Sequence, residues 1–284
     1  MTSPLVIYHG GQCLDGFGSA FAAYMYFAVR QEAEADYFAA NHGEPIPEHD
    51  GRDVYLLDFA YKREQMETLA RNANRVVVLD HHISAQRDLE GLDAQYDNLE
   101  LVFDMERSGC VITWEYFHQA PVPHLLAYIQ DRDLWQFRIP DSEHVNSALL
   151  SHPLEFDLWR RLIDSDERLH LLIEEGKAIN RYRDQMIAFH RKRAVIGEIA
   201  GYSVPIVNCP RNITSELLNE LADGHPFAAG YADKGTKRGW SLRSRDGGAD
   251  VSEIAARFGG GGHARAAGFA TQLPETLLKL APED

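Results

Sequence analysis

His9, Cys13 and Asp15 fall together in the segment HGGQCLDG, Asp58 stands alone after an apolar run, and Asp80-His81-His82 follows another. Carboxylates mixed with imidazoles suit Mn²⁺, Fe²⁺ or Zn²⁺, whereas all-oxygen sets suit Mg²⁺ or Ca²⁺. Several carboxylates with two or more histidines can hold two ions about 3.5–4 Å apart, an arrangement that clamps a phosphoryl group during hydrolysis. Asp58, on the middle run, is the natural bridge between two ions. Of His81 and His82, one is expected on metal and the other on the substrate phosphate. Asp80 is expected to orient an imidazole as its acceptor. Further on, Asp131 or Asp133 in AYIQDRDLW could add a carboxylate from a loop after a short helical run.

A second constellation lies near the C-terminus, FGGGGHARAAGF over residues 258–269. Consecutive glycines cost backbone entropy, so the bare backbone there is expected to serve a purpose. Exposed N–H groups near a helix N-terminus bind anions. Gly260, Gly261 and Gly262, with His263 and Arg265 beside them, therefore read as a phosphate- or substrate-binding segment. Arg243 and Arg245 in WSLRSR are placed to add positive charge.

The elements that must position these residues are legible in outline. Leu5 to Tyr8, Val54 to Leu57 and Val76 to Leu79 are apolar without alternation, the pattern of strands buried on both faces. Helical spacing runs from Gly18 to Arg30 and from Lys62 to Asn72. This βαβ order predicts a parallel sheet, and in such sheets ligands bind outside the carboxyl ends of the strands. All three strand ends carry metal-competent residues. From Phe156 to Arg193 the sequence turns helical and charged. Strands are predicted over Ser203 to Val207, Ala228 to Ala232 and Gly239 to Arg243, with a helix over Thr214 to Ala222. The expectation is an α/β protein in three parts: a catalytic domain over 1–150, a helical linker over 151–194 and a smaller α/β domain over 195–284.

The net charge of the 284-residue chain is −15, and residues 1–150, with 24 acidic and 10 basic side chains, carry nearly all of it. A broad basic face for long duplex nucleic acid is therefore not expected. No apolar run approaches a membrane span, and MTSPLVIYHGG does not read as a secretory signal. Three scattered cysteines, Cys13, Cys110 and Cys209, do not form a disulfide framework, which favours a reducing cytoplasm.

HGGQCLDG, Asp80-His81-His82 after an apolar strand, and GGGGHARAAGF together resemble the DHH/DHHA1 phosphoesterases, over nearly the whole chain and in the expected order. The resemblance implies a DHH domain, a linker, and a smaller DHHA1 domain closing over a cleft with two Mn²⁺ ions. By motif, His9, Cys13 and Asp58 would hold one ion. Asp15, Asp58, His81 and Asp131 would hold the other, Asp131 being chosen over Asp133 because it directly follows the apolar run. His82 would touch the phosphate, with Asp80 supporting. The glycine cluster, His263 and Arg243 would grip the substrate. One departure is Cys13, where related nanoRNases usually carry Asp; a thiolate favours Zn²⁺ or Fe²⁺ at that site.

The leading expectation is hydrolysis of phosphodiester bonds in dinucleotides or short oligonucleotides, or of 3′-phosphonucleotides. A homodimer fits the family's habit. An exopolyphosphatase- or pyrophosphatase-like hydrolase is the second reading, and a nucleotide-binding module with a decayed metal site is the third.

Overall fold

The computed structural model describes residues 2–163 and 165–273. The chain divides into two compact units, residues 1–180 and 181–284.

The first unit is built on a five-stranded, all-parallel sheet in the order β2-β1-β3-β4-β5. Its strands are β1 (Leu5–His9), β2 (Asp36–Ala40), β3 (Asp53–Leu57), β4 (Arg75–Asp80) and β5 (Leu99–Phe103). Alternate residues of the central strands feed opposite faces. Ile7, Leu56 and Val78 pack on one side against Met66 and Leu69 of α2 (Arg63–Asn72). Val6, Leu57 and Leu79 pack on the other against Ala23 of α1 (Leu14–Tyr24) and Ile112 of α4 (Gly109–Phe117). This is why those strands read as unbroken apolar runs. The short α3 (Ile83–Leu89) leaves β4 at His82.

The sheet and its helices bear out the expected α/β class. The edge strands β2 and β5 escape the sequence reading because each is open on one side and carries polar residues, DYFAA and LELVF. The helix expected over Gly18 to Arg30 begins earlier, at Leu14, and passes at Met25 into a π-helical turn, Met25–Arg30. Around Trp159, which is fully buried, α1 and α4 meet α5 (His124–Asp133), α6 (Ser142–Ser151) and α7 (Phe156–Ile163). Asp131 and Asp133 thus lie in the last turn of α5 and not in a loop.

The long α8 (Asp166–Arg191) runs on into the second unit. There a six-stranded mixed sheet has the order β10-β11-β9-β8-β7-β6. Its strands are β6 (Val195–Ile199), β7 (Tyr202–Asn208), β8 (Ala228–Lys234), β9 (Lys237–Arg243), β10 (Gly261–His263) and β11 (Ala266–Gln272). One face is covered by α9 (Thr214–Leu221), with Leu217 and Leu218 on Val207 and Ala228. The other is covered by α10 (Val251–Ala256), with Val251 and Ile254 on Val204 and Leu242. Among the described residues, no helix is long and apolar enough to cross a membrane.

Candidate metal centre

The strand order reverses between β1 and its neighbours β2 and β3, and a parallel sheet opens a crevice at such a switch point. β1 ends there in His9 and β3 runs directly into Asp58. Asp58 has a left-handed backbone, φ 52°, and its N–H bonds to the Leu79 carbonyl at 2.9 Å. A left-handed φ on a non-glycine residue is strained, and such strain collects at functional sites. Here it turns the Asp58 carboxylate into the crevice.

Three carboxylates converge on one imidazole. His81 Nε2 lies 3.2 Å from Asp58 Oδ1, 3.5 Å from Asp15 Oδ2 and 3.5 Å from Asp133 Oδ2. On the other side of Asp58, Oδ2 is 3.4 Å from His9 Nδ1 and 3.5 Å from the Cys13 thiol, which donates to it. Asp58 therefore faces two potential ligand sets, His9 with Cys13 and Asp15 with His81 and Asp133. Its Oδ1 is buried and accepts no hydrogen bond of good geometry from the described residues. Two buried carboxylates, Asp15 and Asp58, crowded with the more exposed Asp133 fit a cation between them, since burial without a counter-charge is costly.

The electrostatics agree. Burial, reinforced by repulsion from Asp58 and Asp133, pushes the Asp15 carboxyl up to about 7. The Asp133 carboxyl is raised as well, by desolvation and by Asp58. Burial and then the Asp58 and Asp15 charges push the Cys13 thiol well above its usual range. Desolvation works against the Asp58 charge, yet its contacts with His81 and His9 hold its carboxyl well below the ordinary value. Burial would lower both adjacent histidines, but their carboxylate neighbours prevail and push His81 up to about 10 and His82 up to about 9.

Helix starts fix several of these groups. Cys13 caps α1, its sulfur accepting from the Gly16 N–H at 3.4 Å. The Asp15 carboxylate accepts from the N–H groups of Gly109 and Cys110, at 2.7 and 3.0 Å, at the amino end of α4. A Cβ on Gly109 would lie 2.5 Å from the Asp58 Cβ, and one on Gly16 would lie 2.2 Å from the His9 carbonyl oxygen. Both glycines are positioning residues that sequence reasoning missed. For Gly109 the available signal was Ser108, a residue type that caps helices, ahead of the mostly apolar run Cys110 to Trp114.

Asp80 accepts from the N–H groups of His81 and His82 and holds His82 Nδ1 at 2.6 Å, so the imidazole it orients is that of His82. Asp131 requires a correction. Its carboxylate is turned away to the following segment, accepting from Arg138 N–H at 2.7 Å, Ile139 N–H at 3.2 Å and Ser142 Oγ at 2.5 Å. The carboxylate brought to His81 belongs to Asp133 instead. The two are half a helical turn apart, so only one can face the crevice. His42, past the end of β2, was also missed; its ring centroid is 5.9 Å from that of His9.

In the second unit the glycine segment follows the carboxyl end of α10, not the amino end of a helix as expected. Its N–H groups begin by closing that helix, Gly259 to Ala256 and Gly260 to Ala255. Gly260 packs so closely on β11 that a Cβ would lie 2.0 Å from the Gly268 carbonyl oxygen, and Gly262 has φ 138°. Close strand approach thus accounts for these glycines. Gly261 and Gly262 continue into β10, where His263 pairs with Ala266, and Ala266 pairs in turn with Arg243 on β9. Arg243 donates to Ser215 Oγ at 2.9 Å. Arg265, in the β10–β11 turn, donates to the Gly248 carbonyl at 3.3 Å and faces Asp246 at 3.6 Å. Arg245 pairs with Asp223 at 2.8 Å.

A parallel 2-1-3-4-5 sheet with carboxylates and imidazoles at its switch point, followed by a mixed-sheet unit carrying GGGGH, defines a DHH-type phosphoesterase architecture. No family model matches the chain. It is 32% identical over 287 residues to an uncharacterised protein of Acanthamoeba polyphaga mimivirus, covering 94% of this chain and 67% of that protein. It is 26% identical over 295 residues to oligoribonuclease NrnB of Bacillus subtilis, covering 90% and 70%. The fold is similar to that of exonuclease RecJ bound to manganese, with TM-score 0.52, 17% identity, and coverage of 94% and 86%. The chain belongs to the DHH/DHHA1 phosphoesterase family.

Proposed function

We propose that the protein is a divalent-metal-dependent phosphoesterase that cleaves phosphodiester bonds of dinucleotides or short oligonucleotides. The observation that carries this reading is the convergence of Asp15, Asp58 and Asp133 on His81 Nε2, with His9 and Cys13 on the far side of Asp58. His9, Cys13 and Asp58 would hold one ion, and Asp15, Asp58, His81 and Asp133 the other. Bound there, such ions supply a nucleophilic water at neutral pH and neutralise phosphoryl charge. Manganese is the ion in the RecJ structure of similar fold, and Cys13 adds a soft donor that suits Zn²⁺ or Fe²⁺.

The chain's own groups do the rest. Asp80 holds His82 through Nδ1, so its Nε2 is directed to donate to a phosphoryl oxygen and to stabilise charge that builds there. In the second unit, His263 and Arg243 flank Ala266 and are proposed to bind anionic groups of the substrate, with Gly260, Gly261 and Gly262 allowing close approach. Arg265 is left out of this set because it is engaged with Asp246 and Gly248. The acidic first unit favours short substrates gripped locally over long strands that need a basic track. The name of the relative NrnB, an oligoribonuclease, supports the same substrate class.

The test is hydrolysis of pApA by metal-stripped protein, with Mn²⁺ restored and a chelated control. Metal-dependent release of AMP is the expected result. No release with Mn²⁺, Fe²⁺ or Zn²⁺ would overturn the reading.

A further inference from the structure

We propose that Trp135 and Phe137 form a stacking platform for a nucleobase of the substrate, immediately beside the metal centre. The inference rests on the phosphodiesterase reading above and adds to it the part of the site that recognises a base.

Both side chains are exposed, 36% and 40%, and they are the only large aromatic side chains so exposed among the described residues of the first unit. Their rings meet edge to face, with centroids 4.9 Å apart at 78°. Burial in the core is the ordinary fate of such side chains. Here the backbone is instead held in an unfavourable conformation that keeps them out: φ is 56° at Trp135 and 49° at Phe137, in the left-handed region that bulky residues avoid.

Asp131 is what holds it. Its carbonyl accepts the Gln136 N–H at 2.8 Å and the Phe137 N–H at 3.3 Å, while its carboxylate takes Arg138, Ile139 and Ser142. A buried carboxyl side chain is thus committed to shaping an exposed aromatic turn. Strain maintained in this way by the surrounding structure marks functional segments.

The turn starts from the centre itself. Asp133, whose carboxylate lies 3.5 Å from His81 Nε2, is two residues before Trp135, at most about 7 Å along the backbone. A nucleoside attached to a phosphate at the centre is the occupant within reach. Stacking needs no positive charge and tolerates any base, which suits an acidic unit. A protein partner is the weaker fit: two rings cover about 150–250 Å² each, far less than the about 800 Å² per partner of a stable interface.

Two measurements test the platform. In chelator, where pApA is not cleaved, pApA should quench tryptophan emission in a W240F background, and adding W135F should remove most of the quench; Trp114 and Trp159 are buried, and Trp240 on β9 is half-buried. In turnover with Mn²⁺, W135A and F137A should each raise KM for pApA about tenfold with kcat little changed. Neither should alter hydrolysis of the same dinucleotide lacking its bases, which a merely structural role for the turn would impair. An unchanged quench in W135F, or an unchanged KM in W135A, would overturn the platform. So would an oligomer that dissociates in the W135A/F137A double variant, because a second copy would then cover the rings. If wild-type protein is quenched by pApA yet releases no AMP, the phosphodiesterase reading fails while the platform stands; release without quenching gives the reverse.

Discussion

The Asp15 carboxylate and the Gly109 backbone are bound to each other at 2.7 Å, 94 residues apart in sequence, and this bond docks the start of α4 onto the candidate metal centre. The space is closed on both sides, because a Cβ at Gly109 would meet Asp15 Oδ2 at 3.0 Å as well as Asp58. Gly109→Ala should therefore displace two carboxylates at once. We expect a stability loss of about 1–3 kcal/mol, read by denaturant unfolding, and weaker Mn²⁺ binding by calorimetry. A variant that keeps wild-type metal affinity would separate Gly109 from the centre.

Asp58 faces both potential ligand sets, through His9 and Cys13 on one side and His81 on the other. Asp58→Ala should abolish metal-supported pApA hydrolysis, with the fold retained by circular dichroism. Turnover near that of the wild type would remove Asp58 from its bridging role.

Asp131 and Asp133 should separate cleanly. Asp133→Asn is expected to weaken Mn²⁺ binding at least about tenfold with little change in melting temperature. Asp131→Ala should instead cost about 2–3 kcal/mol of stability through its lost charge-assisted bonds, leaving intrinsic metal affinity nearly intact. The opposite pattern would reinstate Asp131 as the ligand.

Cys13→Asp replaces a soft donor with a hard one at a helix cap that either residue can make. Activity with Mn²⁺ should rise relative to that with Zn²⁺. An unchanged metal preference, measured across the two ions, would mean that the thiol does not select the metal.

Protons and metal should compete. Without metal, the surrounding carboxylates push His81 up to about 10 and His82 up to about 9, so the stability they contribute should be complete below about 6.5 and lost as pH rises through those values. Asp15, raised from 3.8 to about 7, acts in the same direction but earlier, its loss being complete by about pH 7, so the histidines alone set the loss above that pH. The metal-free protein should thus lose stability as pH climbs from 7 towards 10. Mn²⁺ binding at pH 7 should release protons, detectable by calorimetry in buffers of different ionisation enthalpy. Binding without proton release would contradict the coupling.

The central strands and the histidines and carboxylates at their ends were legible in the sequence because a strand buried on both faces leaves an unbroken apolar run, and whatever follows it lies at the sheet edge. The edge strands β2 and β5 were not, since half-open strands admit polar residues. The Asp131–Asp133 choice turned on which side of a helix each faces, and adjacency to an apolar run carries no such information. Gly16 and Gly109 matter through approaches between distant segments, which one sequence does not reveal. The glycine segment was legible as unusual, but its proximity to a helix start was not borne out, because strand packing explains the bare backbone equally well.

Cys13 caps α1 and Asp15 is held by the start of α4, so the two proposed ligands are tied to structural joints that would set the width of the proposed centre. A cage braced in this way would have little freedom to breathe and would discriminate by ionic radius. Ca²⁺, which takes 6–8 oxygens at about 2.3–2.6 Å in adaptable geometry, would find it too narrow and too poor in oxygen, while ions the size of Mn²⁺ or Zn²⁺ would enter without remodelling either helix. Selectivity would then be a property of the scaffold's stiffness as much as of the donor atoms it presents.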